Sequence, residues 1–571
     1  MKRGIVLLLA LAGCGESPTP QIPQPAPAAK STAWFVDATE TSGLAFTHDA
    51  GLSPEKHLPE TMGAGAVLFD CDEDGDLDLY LLQGGPMRGG GAEPGTFVEP
   101  DGLLPTNRLF LNDGKAHFTD ATSRSGAAAH SGYAMGATTG DVNGDGHLDL
   151  YVTNLGEDVL LLGDGKGSFR DGTRESGLSD GRWTTAAMLF DAEGDGDLDL
   201  YVTGYVLVDL AHPLWCGERK DGWRSACHPD AYPALQDRLW INDGRGVFRD
   251  ATASSGIEAS FGKGLGIVPC DIDADGDLDL YIANDSTENF LWRNEGAGMF
   301  ADGTLRSRLG FDGNGMTEAG MGLASGDVDE DGDFDLFVTN FDDESNTLYR
   351  NDGRGRFDDV TLEVRLEAPS RMPVGFGTVF EDFDLDGDLD LAVTNGHIID
   401  NIHLYHDGKT HAQRSQLFAN DGTGRFDELL AEAGPLGATP FVGRGFYAGD
   451  LDGDGDADLV LTQCGGPARL FQNVRADGAP SLVISGLPEH ARVELVGKSG
   501  KRKLRVAGPQ PSYFGACGPD VITALPGDEL VELRIRPASK PEVTVRLEPL
   551  RSGRVELVRE GDGFAAKVTR R

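Results

Sequence analysis

Residues 62–81 read MGAGAVLFDCDEDGDLDLYL, and the nine in the middle, DCDEDGDLD (70–78), decide the fold. Acids stand at positions 1, 3, 5, 7 and 9 of this nonapeptide and glycine at position 6. An apolar run leads in and a β-prone run leads out. Carboxylates on alternate residues of a tight loop turn toward one centre, and glycine permits the sharp turn. Such an oxygen-only set suits Ca2+, a hard cation that takes roughly 6–8 oxygens at about 2.3–2.6 Å. Position 7 is then expected to offer its backbone carbonyl and position 9 to close the shell. Both flanks read as strands, so the motif predicts a calcium loop in a β-hairpin and not an EF-hand.

Asp/Gly turns are common in hairpins, so one copy would be weak evidence. The pattern recurs as DVNGDGHLD (141–149), DAEGDGDLD (191–199), DIDADGDLD (271–279), DVDEDGDFD (327–335), DFDLDGDLD (382–390) and DLDGDGDAD (450–458), seven copies in all. The metal ligands expected in the first three are Asp70, Asp72, Asp74, Asp76 and Asp78; Asp141, Asn143, Asp145, His147 and Asp149; and Asp191, Glu193, Asp195, Asp197 and Asp199. The next two offer Asp271, Asp273, Asp275, Asp277 and Asp279, then Asp327, Asp329, Asp331, Asp333 and Asp335. The last two offer Asp382, Asp384, Asp386, Asp388 and Asp390, then Asp450, Asp452, Asp454, Asp456 and Asp458. Up to seven Ca2+ follow. Without a cation these carboxylates would repel one another. The second copy, with Asn143 and His147, carries less charge and is expected to bind more weakly.

Successive copies lie 71, 50, 80, 56, 55 and 68 residues apart, too far for a nonapeptide solenoid and about right for a four-stranded unit with insertions. A second motif completes the unit. NRLFLNDGKAHFTDAT (107–122) recurs five times up to SQLFANDGTGRFDELL (415–430), as an apolar run, an Asn-Asp-Gly turn and another run. The seventh copy, ARLFQNV (468–474), lacks its last strand, whereas WFVDAT (34–39) at the other end of the chain lacks a partner. Pairing the two would close a ring and remove exposed edges. The expected fold is all-β: a seven-bladed β-propeller over 34–475 with calcium-binding hairpin loops, followed by a small β-sandwich-like domain over 476–571, where short alternating runs replace the loops.

The chain of 571 residues carries a net charge of −44. Residues 34–475 hold −50 and the C-terminal segment +4. Nucleic-acid binding through phosphates needs clustered Lys/Arg and is excluded on this balance. The acid is instead concentrated where metal is expected.

Residues 1–13 read MKRGIVLLLALAG: a basic start and an apolar core too short to span a bilayer, which reads as an export signal. Leu11-Ala12-Gly13-Cys14 resembles a bacterial lipobox, which implies lipidation of Cys14 after cleavage. Residues 14–33 are then a proline-rich tether, and the lipid is the only membrane attachment expected. Such a protein is exported and lipid-anchored, on the outer membrane or cell surface or in the periplasm. Export permits disulfides. Cys216 and Cys227, in WCGERKDGWRSAC, are the best pair. Cys71, Cys270, Cys464 and Cys517 are scattered and their connectivity is open; a Cys464–Cys517 bond would tie the last repeat to the tail.

The loops resemble FG-GAP/VCBS repeats. With FTHDAG (46–51), LPETMGAGAVLFDCDEDGDLDLYL (58–81) and VTNGHIID (393–400), the chain resembles the cartilage acidic protein (ASPIC/UnbV) family. That resemblance implies a secreted or lipid-anchored calcium-binding propeller with a small C-terminal β-domain; PSYFGACG (511–518) sits where relatives carry a phenylalanine-glycine turn. It supplies no catalytic residues. The function expected is a surface binding or adhesion module for a protein or glycan, with structural Ca2+. Contact is expected on insertions at 83–106, 204–236 and 397–414. The second holds Tyr205, Trp215, Trp223 and Tyr232, which form a platform or simply pack the insertion down. The alternative is an exported enzyme using the His-rich third insertion (His397, His403, His406, His411) or the aromatic second one.

Overall fold

The computed structural model describes residues 33–85, 106–129, 132–257, 260–475, 479–561 and 563–570. The signal, Cys14 and the tether up to Thr32 lie outside the described residues, as does most of the 83–106 insertion. Residues Ala33–Arg571 form one compact unit.

Seven four-stranded antiparallel sheets follow one another, numbered I to VII here. Sheet I runs Ala66–Phe69, Asp78–Leu81, Arg108–Asn112, Phe118–Asp120. Sheets II to VI repeat that order, beginning at Gly132–Gly140, Thr184–Phe190, Gly264–Cys270, Leu323–Gly326 and Gly375–Glu381. Sheet VII takes Gly443–Gly449, Asp458–Gln463 and Arg469–Asn473, and its fourth strand is Phe35–Asp37 from the start of the described chain. Phe35 lies opposite Asn473 and Asp37 opposite Phe471. The first strand of each sheet packs on that of the next, and that of VII packs on that of I, so the sheets close into a ring.

Sequence and physics meet at three repeated contacts. In every sheet but VI, the Asp ending the fourth strand accepts the N–H of the Thr two residues on, as in Asp120–Thr122 (2.8 Å) and Asp302–Thr304 (2.9 Å). The Thr hydroxyl then accepts an N–H from the third strand, Leu109 N to Thr122 Oγ1 and Leu291 N to Thr304 Oγ1, both at 3.0 Å. Thr39 does the same for Leu470 N (3.0 Å), so the N-terminal strand plays the full part of a local one. Near the axis, glycines let first strands approach: a Cβ on Gly322 would lie 2.1 Å from Phe376 O of the next sheet. Between sheets, apolar side chains interlock. Phe190, Tyr201 and Ile241 of sheet III pack on Ile267, Leu280, Ile282 and Trp292 of sheet IV. Full burial of one such aliphatic side chain is worth roughly 1.5–3 kcal/mol.

The C-terminal segment forms two sheets around one apolar core. Val521–Thr523, Leu482–Ser485, Gly553–Glu560 and Gly563–Arg570 make one, and Arg502–Val506, Arg492–Gly497, Leu530–Arg536 and Val543–Leu550 the other. Leu482, Ile484, Val555 and Leu557 of the first meet Val493, Leu495, Leu533 and Ile535 of the second. The segment also enters the ring. Its hairpin Pro511–Ser512/Gly515–Ala516 adds to sheet I, with Ala516 in parallel register with Val67. At the hairpin tip, Tyr513 and Phe514 stack at 3.8 Å and are buried among Met135, Trp183, Leu265, Met321 and Phe376 at the ring axis. Tyr447 donates its hydroxyl to Tyr513 O (2.8 Å) and accepts Ala66 N (3.0 Å).

Candidate metal centre

Each nonapeptide joins the first and second strands of its sheet, so all seven lie at one end of the ring. Glycine 6 takes a positive φ throughout, from +91° at Gly146 to +106° at Gly276. Position 4 is left-handed too, whether glycine (Gly144, +73°) or not (Glu330, +60°).

Position 9 has a task beyond the expected one. In sheet V, Asp335 accepts Val328 N (3.3 Å) at one oxygen and Asn351 N (2.9 Å) at the other. Asp78, Asp149, Asp199, Asp390 and Asp458 make the same pair of bonds, to the residue at position 2 and to the end of the third strand. This acid clamps the loop to its sheet. Position 7 side chains lean toward the glycine of the Asn-Asp-Gly turn: a Cβ on Gly353 would lie 2.4 Å from Asp333 Oδ2, and one on Gly422 2.5 Å from Asp388 Oδ2. His147 instead pairs with Glu73 of sheet I, Nδ1 to Oε1 2.6 Å.

Positions 1, 3 and 5 make the centre. Oxygens of Asp271/273/275, Asp327/329/331, Asp382/384/386 and Asp450/452/454 each lie within 4.8 Å of one another, and in sheet I those of Asp70, Asp72 and Asp78 do. The position-3 acid leans one oxygen on a neighbour: Arg350 Nε is 2.9 Å from Asp329 Oδ2, and Gln472 Nε2 is 3.1 Å from Asp452 Oδ2. The other oxygen has no hydrogen-bond partner although buried: Oδ1 of Asp72, Asp273, Asp329 and Asp384. Oδ1 of Asp271 and Asp327 and Oδ2 of Asp279 are in the same state. Asp327 is 5% exposed and Asp279 2%, so water does not solvate them freely. A buried carboxylate oxygen without a donor is costly, and a divalent cation is the partner that this donor set fits.

The loops of sheets II and III are built otherwise. Asp141 accepts Gly144 N (2.8 Å), Asp145 N (3.2 Å) and Gly146 N (2.8 Å); Asp191 accepts Gly194, Asp195 and Gly196 N at 2.7, 3.1 and 2.9 Å. Their position-1 carboxylates each accept three backbone N–H groups, and among the described residues neither loop brings three carboxylate or imidazole ligands together.

Electrostatics follow burial. It pushes Asp279 up to about 8 and Asp327 to about 7, where Asp331 adds repulsion. Asp456 rises to about 9, by burial first and then Asp454. A bound cation would reverse these shifts.

One repeated residue was absent from the expected site. The Asn of the Asn-Asp-Gly turn donates from Nδ2 to the position-2 carbonyl of the preceding sheet's loop: Asn242 to Val142 O (2.7 Å), Asn351 to Ile272 O (2.9 Å), Asn473 to Phe383 O (2.7 Å). Asn112 of sheet I reaches Leu451 O of sheet VII (2.8 Å), across the closure. Its fixed register relative to the nonapeptide was the available signal. Sheet II carries Gly163 there.

The second and third insertions, 204–236 and 397–414, occupy the other end of the ring, since they join second to third strands. Cys216 and Cys227 are disulfide-bonded, with Cα atoms 5.2 Å apart. Cys464 and Cys517 are not joined: the Cys464 thiol donates to Glu60 O and Cys517 Sγ accepts Ala448 N, so each thiol is already seated in its own layer. Tyr205 is buried and donates to Asp285 (2.6 Å), and Trp223 packs edge-on against Tyr405 (5.3 Å) with Lys220 over its ring. Trp215 stays 42% exposed between Arg219 and Arg224. The four histidines do not converge. His397 is buried, with Nε2 3.2 Å from Asp342 and Nδ1 accepting Ile399 N (2.9 Å), which leaves its ring nitrogens engaged. His403 and His406 are exposed.

The family described as FG-GAP-like repeat matches residues 70–152, 141–202, 271–338 and 327–393. The chain is 24% identical to cartilage acidic protein 1 of Homo sapiens over 541 residues, 88% of this chain and 74% of that protein. The Mus musculus protein is 25% identical over 507 residues, 84% and 70% of the two chains. Similar solved structures include an Agrocybe aegerita lectin in a study of non-reducing terminal N-acetylglucosamine recognition (TM-score 0.37, 16% identity, 64% of this chain and 88% of that). Another is the V. cholerae biofilm matrix protein Bap1 (TM-score 0.34, 10% identity, 77% and 91%). The chain carries FG-GAP repeats and is similar to cartilage acidic protein 1, of the ASPIC/UnbV family, over most of its length at low identity.

Proposed function

We propose that this FG-GAP-repeat chain is an exported, lipid-anchored binding module that holds Ca2+ structurally and presents its insertions to a protein or glycan partner. The observation that carries the reading is the separation of the two ends of the ring. The loop end is covered by the C-terminal segment: Ser539 N donates to Gly276 O (2.7 Å), His490 ring nitrogen lies 3.0 Å from Leu189 O, and Arg554 lies 3.3 Å from Asp450. The insertion end is open and braced. Tyr405 donates to Trp223 O, Asn401 Nδ2 donates to Gly222 O (2.9 Å) and Arg224 O (3.0 Å), and Lys56 pairs with Asp400. Insertions from sheets III and VI are thereby locked to each other and to the segment before sheet I, which limits the entropy lost when a partner binds.

Calcium belongs in the loops of sheets I, IV, V, VI and VII, held chiefly by the acids at positions 1, 3 and 5. Five ions are therefore expected where the repeat count offered seven. Their role is to neutralise the clustered carboxylates, several of which keep a buried oxygen without a hydrogen bond, and so to favour the folded ring by mass action.

The test is binding to intact cells and to a glycan array, for the wild type and for a variant lacking residues 210–230. Loss of binding with an unchanged melting temperature supports the insertion face. Full binding by the deletion variant sinks it.

A further inference from the structure

The C-terminal domain does more than cover the loops; it supplies donors to one of them. In sheet VI, Thr523 Oγ1 donates to Asp382 Oδ2 (2.8 Å) and Ala524 N donates to the same oxygen (3.0 Å). Thr523 in turn accepts Arg505 NH2 (2.9 Å), which also donates to Gly387 O within the loop (2.8 Å). Lys503, fully buried, reaches Asp388 Oδ1 (2.6 Å) and pairs with Glu330 of the neighbouring loop. Asp382 has no exposure, and its orientation is set by a strand end and a threonine that belong to the other domain. The third oxygen source, Asp384, keeps Oδ1 without a hydrogen bond, within reach of Asp382 and Asp386.

The contrast with other loops is informative. Asp141 and Asp191 each accept three N–H groups, all from their own loops. Asp382 also accepts three, but two of them come from the other domain, and Asp384, paired with Arg475 through Oδ2 (3.5 Å), keeps Oδ1 without a hydrogen bond. Thr523 and Ala524 occupy the two lone pairs of Asp382 Oδ2, while Oδ1, which accepts Gly387 N (3.2 Å), keeps capacity for a cation. From Ala524 the chain leads back within the same domain to Gly518, whose N–H donates to Ala448 O (2.9 Å), and to the Tyr513–Phe514 tip at the axis.

We propose that the sheet VI metal site is composite: the ring supplies Asp382, Asp384 and Asp386, the C-terminal domain positions Asp382, and metal binding there and docking of the domain reinforce each other. This rests on the calcium reading of the loops. Linkage requires the coupling to be reciprocal: if docking raises affinity, the ion must strengthen docking by the same factor.

The experiment uses the full chain, Ca2+ as the probe, and two variants. Thr523→Val removes the donor to Asp382 and keeps the side-chain volume. Asp384→Asn alters a ligand that touches no C-terminal donor. Calcium titration of Thr523→Val is expected to weaken one site about tenfold and leave the others as in wild type. Hydrogen exchange over 511–518 is expected to be slow in Ca2+ and faster with chelator in wild type, and fast in Asp384→Asn even with Ca2+. A Thr523→Val isotherm that superimposes on wild type, or a tip equally protected in Asp384→Asn and wild type, overturns the proposal while the calcium reading stands. A wild type that takes up no Ca2+ overturns both. Should Thr523→Val fail to fold, the exchange result for Asp384→Asn decides alone.

Discussion

The loops of sheets III and V share a nonapeptide, a turn and a position-9 clamp, yet one is closed upon itself and the other is not. Asp191 receives three backbone N–H groups from its own loop. Asp327 receives one, from Gly332 at 3.2 Å, and keeps an oxygen without a donor. Gly194 turns its N–H onto Asp191, as Gly144 does onto Asp141, whereas Glu330 at the same position makes no such bond to Asp327. On the reading proposed above, a repeat counts possible sites, and the clustering of its carboxylates with an oxygen left free of donors marks the ones that take an ion.

The largest expected effect breaks the comparison altogether. Chelation should lower the melting temperature by about 10 °C or more, because each site saturated at a hundredfold excess over Kd contributes about 2.7 kcal/mol and several act together. Scanning calorimetry with Ca2+ and with chelator checks this. An unchanged midpoint would show that both kinds of loop are self-sufficient and would remove the distinction between them.

Single loops sharpen it. Asp327→Asn should cost about 3 kcal/mol in saturating Ca2+ and remove one ion from the stoichiometry. Asp191→Asn should cost about 1 kcal/mol, as weakened hydrogen bonds, and leave the ion count unchanged. Equilibrium dialysis on both variants separates the cases; equal losses of metal would place an ion in sheet III after all.

Much of the ring was legible in the sequence because its determinants are local and repeated. The nonapeptide gives each hairpin, the Asn-Asp-Gly turn gives the next, and WFVDAT (34–39) stands opposite the truncated ARLFQNV (468–474). What stayed hidden depends on partners far away in the chain. Nothing near Thr523 announces that it donates to Asp382, and nothing near Tyr513 announces the ring axis. The engaged His397 belongs here too: four histidines within fifteen residues look like ligands until Asp342 and Ile399 N are found on the buried one. Position 9 has a second task of the same hidden kind. Its two acceptor bonds go to backbone, which the side-chain pattern does not display.

The inter-sheet staple offers a smaller effect. Asn351→Ala should cost about 2 kcal/mol, since Ile272 O and Phe334 O lose a buried donor while the backbone bond to Asp335 stays. Sheet II already lives without this side chain, at Gly163, and its loop contact to sheet I falls to a backbone bond, Gly167 N to Cys71 O (3.1 Å). Denaturant unfolding gives the measurement, and a cost below about 0.5 kcal/mol would mean that the backbone contact suffices everywhere.

The smallest effect is a slope. Sheets III and IV place different residues at one repeat position: Asp237 accepts Tyr201 OH and Gly204 N, both at 2.9 Å, while Asn289 makes the matching bonds to Tyr281 OH (2.9 Å) and Asn284 N (2.8 Å). Burial pushes Asp237 up to about 7 against the opposing pull of Arg182. Its unfolded value is about 3.9, so between those limits the folded protein holds a proton that the unfolded chain has released. The stability this group contributes is fully present below about pH 4 and is lost as pH rises through about 7, with a slope of at most about 1.4 kcal/mol per unit. Asp237→Asn imitates sheet IV and should flatten that one component. Melting both proteins at several pH values in saturating Ca2+ isolates it, because every other titration is common to the two. Parallel curves would mean that Asp237 stays ionised in the folded ring, held so by Tyr201 OH and Gly204 N, and that the two sheets differ in charge but not in proton uptake.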